Sequence, residues 1–297
     1  RETMNFKEDV RQVFEYHNLS KHGFQFYAPG PGYLDWANQP NPFRKYGVEE
    51  IALELVQDAE PLGYDSSLRL GQAPVSTLSH RSVSQLFQDS LGLSVWKSYH
   101  DSTWALRMNP SSGNLHPTEG YLISGKVEGI SSTPIVAHYA PREHVLEIRL
   151  KFSDELWNAL IQPFPEGSFF IALTSIPWRE AWKYGERAFR YCHHDVGHAI
   201  GAIAIAASQL GWQVHLLDQP GTFELEALLG LGSQSGPDKE HADCLLIVVP
   251  ERPFENKLDF IRSDLFHEFS KLHFEGTPNR LSPEHVHWQW VEKMGGM

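Results

Sequence analysis

Arg107-Met108-Asn109-Pro110-Ser111-Ser112-Gly113-Asn114-Leu115-His116-Pro117-Thr118-Glu119-Gly120-Tyr121-Leu122-Ile123 is the stretch that decides the fold. Two prolines bracket a run of small polar residues, so the backbone has to leave one regular element, turn tightly and enter an apolar run that reads as a strand. Ser111, Ser112, Asn114 and His116 bring side-chain donors and acceptors close together, and Gly113 lets a ligand approach the main chain with no side chain in the way. A flat ligand with many acceptors suits such a loop.

Downstream, Glu119 to Ser124 reads as a strand, and Pro134 to Tyr139 and Val145 to Leu150 read as a β-hairpin around a short polar break. Phe152 to Ile161 is a short helix. Phe169 to Thr174 and Cys244 to Val249 are continuous apolar runs, hence strands buried on both faces. Between these two lie an aromatic, basic segment from Trp178 to Tyr191 and a helix from Asp195 to Leu210. That helix is apolar on all sides and rich in small residues, so it is expected to be central and closely approached. Gly211-Trp212 ends it, Gln213 to Leu217 gives a further strand, and Glu224 to Leu229 a short helix.

Upstream, Ser79 to Phe87 opens a helix with polar caps at its start. Arg81 and Ser82 at its N-terminus make a ready anion site, because free N–H groups and the helix dipole add to the guanidinium. Glu49 to Gln57 reads as a short helix. His22 to Phe43 is punctuated too heavily by Pro, Gly and Asn for a regular element; its Tyr33, Trp36 and Phe43 suggest an arm lying on apolar surface, or an aromatic lid. Residues 5–18 form an amphipathic helix whose stripe of Phe6, Val10, Val13, Phe14 and His17 is expected to pack on the main body.

The central loop resembles the P-S-x-G-x-L-H-P signature of the thiazole- and oxazole-forming dehydrogenase branch of the flavin-dependent nitroreductase superfamily. The segments Ile176 to Tyr191 and Asp195-Val196-Gly197-His198 resemble the same branch in the expected order, so the likeness runs over roughly residues 79–250. The resemblance implies an α+β fold: a mostly antiparallel sheet flanked by helices, in an intertwined dimer whose terminal segments embrace the partner. Residues 1–70 would be an N-terminal helical arm and extended loop, 71–254 the FMN-binding domain, and 255–297 a C-terminal extension. It further implies FMN held by Pro110, Ser111, Ser112, Asn114, Leu115 and His116 along the ribityl chain and ring edge. The phosphate would sit on Arg81 and Ser82, with Arg252 or Lys257 as weaker alternatives. In the family a second basic residue usually joins Arg81; here that position is Ser84. Lys183 and Tyr184 resemble a Lys-Tyr pair that assists proton removal as hydride leaves to the flavin. The reaction implied is hydride transfer between FMN and a small organic or peptide-derived, azoline-like substrate, with NAD(P)H as a possible reductant. Some longer relatives carry two such units, so pairing with a copy or with a second similar domain is the expected assembly.

Composition sets the outer limits. The chain has 297 residues and can bury a full core, and its net charge of -12 disfavours nucleic acid. No apolar run is long enough for a membrane span, and no signal-peptide pattern is visible. Only Cys192 and Cys244 occur, without CxxC spacing, so a cytoplasmic, reducing setting is the expectation. Two rivals come from other classes. His194 and His198, at i and i+4 beside Asp195, are the pattern of a zinc hydrolase, although Asp stands where such sites carry Glu. A degenerate relative acting as a binding or scaffold protein is kept alive by Ser84. A serine hydrolase lacks its G-x-S-x-G elbow, and the glycine-rich run Gly230 to Gly236 follows a helix, so it is no dinucleotide fingerprint.

Overall fold

Tyr121-Leu122-Ile123 and Phe169 to Leu173 are apolar at successive positions, so each strand offers a hydrophobic surface on both faces and must be covered twice. In a computed structural model, which describes residues 6–59, 62–69, 71–250 and 261–295, that is the arrangement found. The strands are β1 (Glu50–Ala52), β2 (Leu93–Tyr99), β3 (Ser102–Arg107), β4 (Thr118–Ser124), β5 (Ile135–Ala140), β6 (Val145–Lys151), β7 (Phe169–Ser175), β8 (Gln213–Leu216) and β9 (His241–Val249). The helices are α1 (Phe6–Ser20), α2 (Tyr64–Ser67), α3 (His80–Ser90), α4 (Asp154–Ile161), α5 (Pro177–Tyr184), α6 (Ala188–Gln209), α7 (Thr222–Leu229), α8 (Ser263–Phe269) and α9 (Gln289–Gly295). Seven strands form one sheet in the order β1-β6-β5-β4-β7-β9-β8, every neighbouring pair antiparallel.

One face of the sheet, with Leu122, Ile171, Leu173 and Leu246, packs under Val83, Leu86 and Phe87 of α3 and Ala199, Ile203 and Ala206 of α6. The other, with Tyr121, Ile123, Phe170 and Ile247, packs under α4, α7 and α8 through Leu160, Leu228 and Phe266. A smaller third cluster joins Leu115 of the central loop to Trp178 and Trp182 of α5 and to Leu281 and Val291 near the C-terminus. No helix among the described residues is long and apolar enough to cross a membrane, and both cysteines are free.

The structure differs from the sequence expectations at four places. Glu49 to Gln57 holds an edge strand, β1, pairing Ile51 with Leu146 of β6 where a helix was expected. Ile51 and Ala52 are placed to extend an existing ladder, which outweighs the helix propensity of the flanking glutamates. The long helix begins at Ala188, ahead of Asp195, and it is not buried all round: His194, Gly197, His198, Gly201 and Ile205 are exposed along one side. The α1 stripe does not pack as expected either, since Val13 and Phe14 face outward. The helix is held instead by buried Tyr16 and Ser20, whose hydroxyl and backbone groups engage Glu186, Arg187 and Arg190. The fourth is the hairpin β2–β3, a separate two-stranded sheet that the sequence reading passed over. Its apolar residues Val95, Trp96 and Tyr99 are exposed, so it lacks the one-sided burial that periodicity detects, and its turn uses His100 at φ 50° where glycine would signal a tight turn.

Candidate active site

The loop from β3 to β4 is shaped by three demands for left-handed backbone within four positions: Gly113, Asn114 and His116 have φ of 62°, 60° and 52°. Asn and His tolerate this region when local hydrogen bonds hold them, and here they do. The Asn114 amide donates to the Ala105 carbonyl at 2.9 Å, and its oxygen lies 2.7 Å from His116 Nε2. Ser111 Oγ accepts the His116 N–H at 2.8 Å, while the Ser112 N–H and hydroxyl both donate to Asp195 at 3.0 Å. The side chains expected to face a ligand are therefore spent largely on one another and on α6. Burial, reinforced by Arg107 and Arg179, holds His116 far below its ordinary value, so it is a neutral imidazole; its Nδ1 is buried without a partner among the described residues.

Against this loop lies the end of α5. Pro177 starts that helix, where a missing N–H costs nothing, and Gly185 ends it at φ 54° and ψ −130°, a conformation essentially confined to glycine. Lys183 and Tyr184 occupy its last turn. A Cβ on Gly113 would lie 2.7 Å from the Tyr184 hydroxyl and 3.0 Å from Lys183 Nζ, so glycine is what lets the pair close on the loop backbone. The Lys183 amine stands 5.4 Å from the Tyr184 ring centre. Burial, with Glu180 and Tyr191 nearby, raises the Tyr184 phenol above its ordinary value and keeps it protonated.

Buried charges set the relative position of loop and helix. Arg179 is ion-paired to Glu119 at the start of β4 and donates to the carbonyls of His116 at 2.8 Å and Asn41 at 3.0 Å. Against the burial that would raise it, Arg179 and His138 hold Glu119 far below the carboxylate range, so it is ionised. His138 donates from both ring nitrogens, to Glu119 at 2.9 Å and to Glu147 at 2.8 Å. That geometry requires the imidazolium, and the two carboxylates raise its pKa in spite of burial. Glu240 gathers Arg44, Tyr46, Tyr121 and Thr174 beside it. On α5, Glu180 is fully buried with neither oxygen hydrogen-bonded among the described residues; burial and the nearby Asp195 push it well above the carboxylate range. Sequence reasoning assigned no role to Glu119, Glu180, Asp195 or His138 in this framework. The available signal was Glu119 itself, a charge at the mouth of a buried strand that demands a partner.

Arg81 and Ser82 are not brought to the loop. Along α3, His80 donates to the Ala52 carbonyl of edge strand β1, Ser84 meets His144, Phe87 stacks on Tyr139 of β5, and Leu91 fills the space over Gly120 of β4. The helix thus crosses the sheet with Arg81 at the outer edge and the loop beyond the inner end, about 15 Å away at 1.5 Å per residue. Arg81 is half-exposed and pairs with Asp58 at 2.5 Å, while the Ser82 hydroxyl is buried in the helix cap and donates to Thr77. Ser84 is buried and donates to the Glu54 carbonyl, so the position where the family has a second base points into the protein. Arg252 and Lys257 lie outside the described residues. The zinc reading finds no support: His194 and His198 sit on the exposed side of α6, Asp195 is committed to Ser112, and no group of three metal-ligating side chains occurs among the described residues.

The fold is shared with a solved nitroreductase structure. A nitroreductase from Anabaena variabilis superposes with a TM-score of 0.58 at 25% identity, over 80% of this chain and 46% of that one, so this chain spans about half the length of that relative. One from Ralstonia eutropha gives 0.49 at 13% identity, over 75% of this chain and 97% of that chain. The Escherichia coli microcin synthetase McbBCD, solved with truncated pro-MccB17 bound, gives 0.48 at 16% identity, over 82% and 93% of the two chains. No curated protein matches the sequence. The Nitroreductase family model matches residues 78–246, which runs from the cap of α3 through most of β9 and includes the loop, α5 and α6; the chain belongs to the nitroreductase family, whose members are generally FMN-dependent oxidoreductases.

Proposed function

We propose that the chain is an FMN-dependent oxidoreductase passing hydride equivalents between the flavin and a small organic or peptide-derived, azoline-like substrate, with NAD(P)H as reductant when it runs as a reductase. The observation that carries this reading is the approach of Lys183 and Tyr184 to the backbone of Gly113. It sets the Lys183 amine, and a phenol kept neutral, against a loop whose motif resembles that of flavin enzymes. Bound FMN supplies the hydride chemistry. Lys183 serves as the base, Tyr184 orients it, and the Glu119–Arg179 pair keeps loop and helix in register.

The donor set fits FMN in kind, with a cationic helix start for a phosphate and a polar loop for a ring edge, yet in one chain the length of α3, about 15 Å, lies between them. The site is therefore completed by pairing with a copy of this chain or a similar domain. Surfaces suited to pairing are present: the exposed side of α6 with Gly197, Gly201 and Ile205, the aromatic hairpin with Trp96 and Tyr99, and the outward Val13 and Phe14 of α1. A second reading, a flavin-free binding or scaffold protein, is favoured by one feature, the commitment of the Ser111, Ser112 and Asn114 side chains to internal hydrogen bonds.

The visible spectrum separates the two. The purified protein, or protein incubated with FMN, is expected to show a flavin band that bleaches on anaerobic addition of NADPH. Protein that stays colourless and takes up no FMN supports the scaffold. Lys183→Ala should keep the colour and lose turnover, and full activity in that variant removes the proposed base.

A further inference from the structure

Two cavities adjoin behind α5, of about 260 and 330 Å³, between the N-terminal arm and the segment leading to α9. They share the walls Trp178, Val286 and Trp288; Tyr33 and Trp182 close the first, Pro237 and Val291 the second. Trp288 reaches towards Gly185, the residue that follows the Lys183–Tyr184 pair: a Cβ there would meet its ring at 2.9 Å and the Pro29 carbonyl at 2.6 Å. The aromatic wall of the groove thus touches the residue two positions after the candidate base.

From this we infer that the groove binds an extended peptide carrying apolar or proline side chains flanked by basic residues. Three features favour a peptide over a compact molecule. Paired cavities separated by shared aromatic walls suit successive side chains of an extended backbone, the mode by which aromatic grooves take proline-rich segments. The indoles of Trp178 and Trp182 already donate, to Ser282 and to the Asp35 carbonyl, but the Trp288 N–H, buried beside the groove, has no acceptor among the described residues and would meet a main-chain carbonyl once the indole turns towards the groove. The charge at the mouth is acidic. Asp35 and Glu284 are exposed at its edge, while the lysine lining the second cavity, Lys239, is paired with Glu226 at 3.1 Å. That this peptide is also the substrate rests on the oxidoreductase reading; that the groove binds it does not.

The test is fluorescence anisotropy of a fluorescein-labelled peptide of alternating leucine and proline with lysine at both ends, titrated with the full chain in the absence of added flavin. The same peptide ended by glutamate, and N-acetyl-leucinamide as competitor, run beside it. The lysine-ended peptide is expected to saturate and to bind about five- to ten-fold more tightly than the glutamate-ended one, the gap narrowing with salt. Glu284→Lys should shrink that preference. Trp288→Phe, which keeps the ring and removes the donor, should weaken both peptides by about three- to ten-fold. Equal binding of the two peptides, a preference unmoved by Glu284→Lys, or displacement by the small amide at concentrations similar to those of unlabelled peptide overturns the inference. A colourless protein that binds the peptide keeps the groove and loses the oxidoreductase; a yellow, active protein that ignores it loses the groove alone.

Discussion

Glu119→Gln removes one charge from the framework that fixes loop and helix while preserving side-chain shape. Glu119 and Arg179 are each 1% exposed, and once the carboxylate is gone Arg179 keeps the neutral oxygens of the new amide and of the His116 and Asn41 carbonyls, with Glu240 as a more distant counter-charge. The guanidinium remains charged, because burial lowers its pKa from a value far above neutrality. A buried cation left without its counter-charge costs about 3–5 kcal/mol. For a chain of this size that is a fall in Tm of about 10 °C. Removing both charges, as in Glu119→Leu with Arg179→Met, should cost less than the two single changes summed, since a buried pair is often replaceable by apolar side chains at little cost. Thermal and urea unfolding of Glu119→Gln and of the four proteins in the Glu119→Leu and Arg179→Met cycle measure this. A drop in Tm below about 2 °C for Glu119→Gln, or strict additivity across the cycle, would refute a strongly coupled pair.

The same framework sets a pH window. Glu119 is lowered on folding, so its contribution is present above the ordinary carboxylate value of about 4.3 and is lost as pH falls through its lower folded value. His138 is raised, so its contribution is full below about 6.5 and is lost as pH rises through its higher folded value. Their shared stabilisation is greatest between these limits, and Glu119→Gln, which takes one carboxylate from His138, should move the alkaline edge down.

Gly113→Ala places a methyl group where Tyr184 and Lys183 now lie and holds a non-glycine residue at φ 62°, so a loss of about 1–2 kcal/mol from backbone strain is expected, with lower turnover of the flavin-loaded enzyme; unchanged turnover would detach this contact from the reaction. Ser84→Arg, which restores the family's basic residue, should fail to improve FMN uptake and should lower Tm, because position 84 is fully buried against Glu54 and His144; tighter FMN binding in a titration would show that the position reaches the phosphate after all. Glu180→Gln should raise Tm at neutral pH. Folding keeps this carboxyl protonated while the unfolded chain ionises above about pH 4.3, so the wild type loses stability as pH rises and the amide does not. The advantage should vanish in acid, and a variant less stable than wild type at pH 7 would mean that the carboxylate is ionised and needed.

Much of the sheet was legible because the informative strands are unambiguous. Phe169 to Thr174 and Cys244 to Val249 have no polar face to offer solvent, and the hairpin of β5 and β6 has its polar break where the turn falls. What escaped was set by tertiary context. β1 is three residues long and is a strand because β6 has a free edge there; β2–β3 exposes its aromatics and so carries no burial period. At the candidate site the residue types were readable but their commitments were not. In the sequence nothing ties Ser112 to Asp195, 83 positions away, which takes both its donors, and nothing shows that α3 runs across the strands and so carries Arg81 away from the loop.

The residues that fix the candidate base act mainly through charge. Leu115 makes the apolar contact between the loop and α5, but the polar ties are directional: Ser112 to Asp195, and Arg179 to both Glu119 and the His116 carbonyl. Apolar packing alone tolerates a shift of one side chain past another, whereas a buried guanidinium held by a carboxylate and two carbonyls has one satisfactory position. Arg179 and Lys183 are four residues apart on α5 and so lie on one side of that helix. Whatever fixes Arg179 against Glu119 therefore also fixes the distance from Lys183 to Gly113, and a change at the mouth of β4 is transmitted to the amine through a single turn of helix.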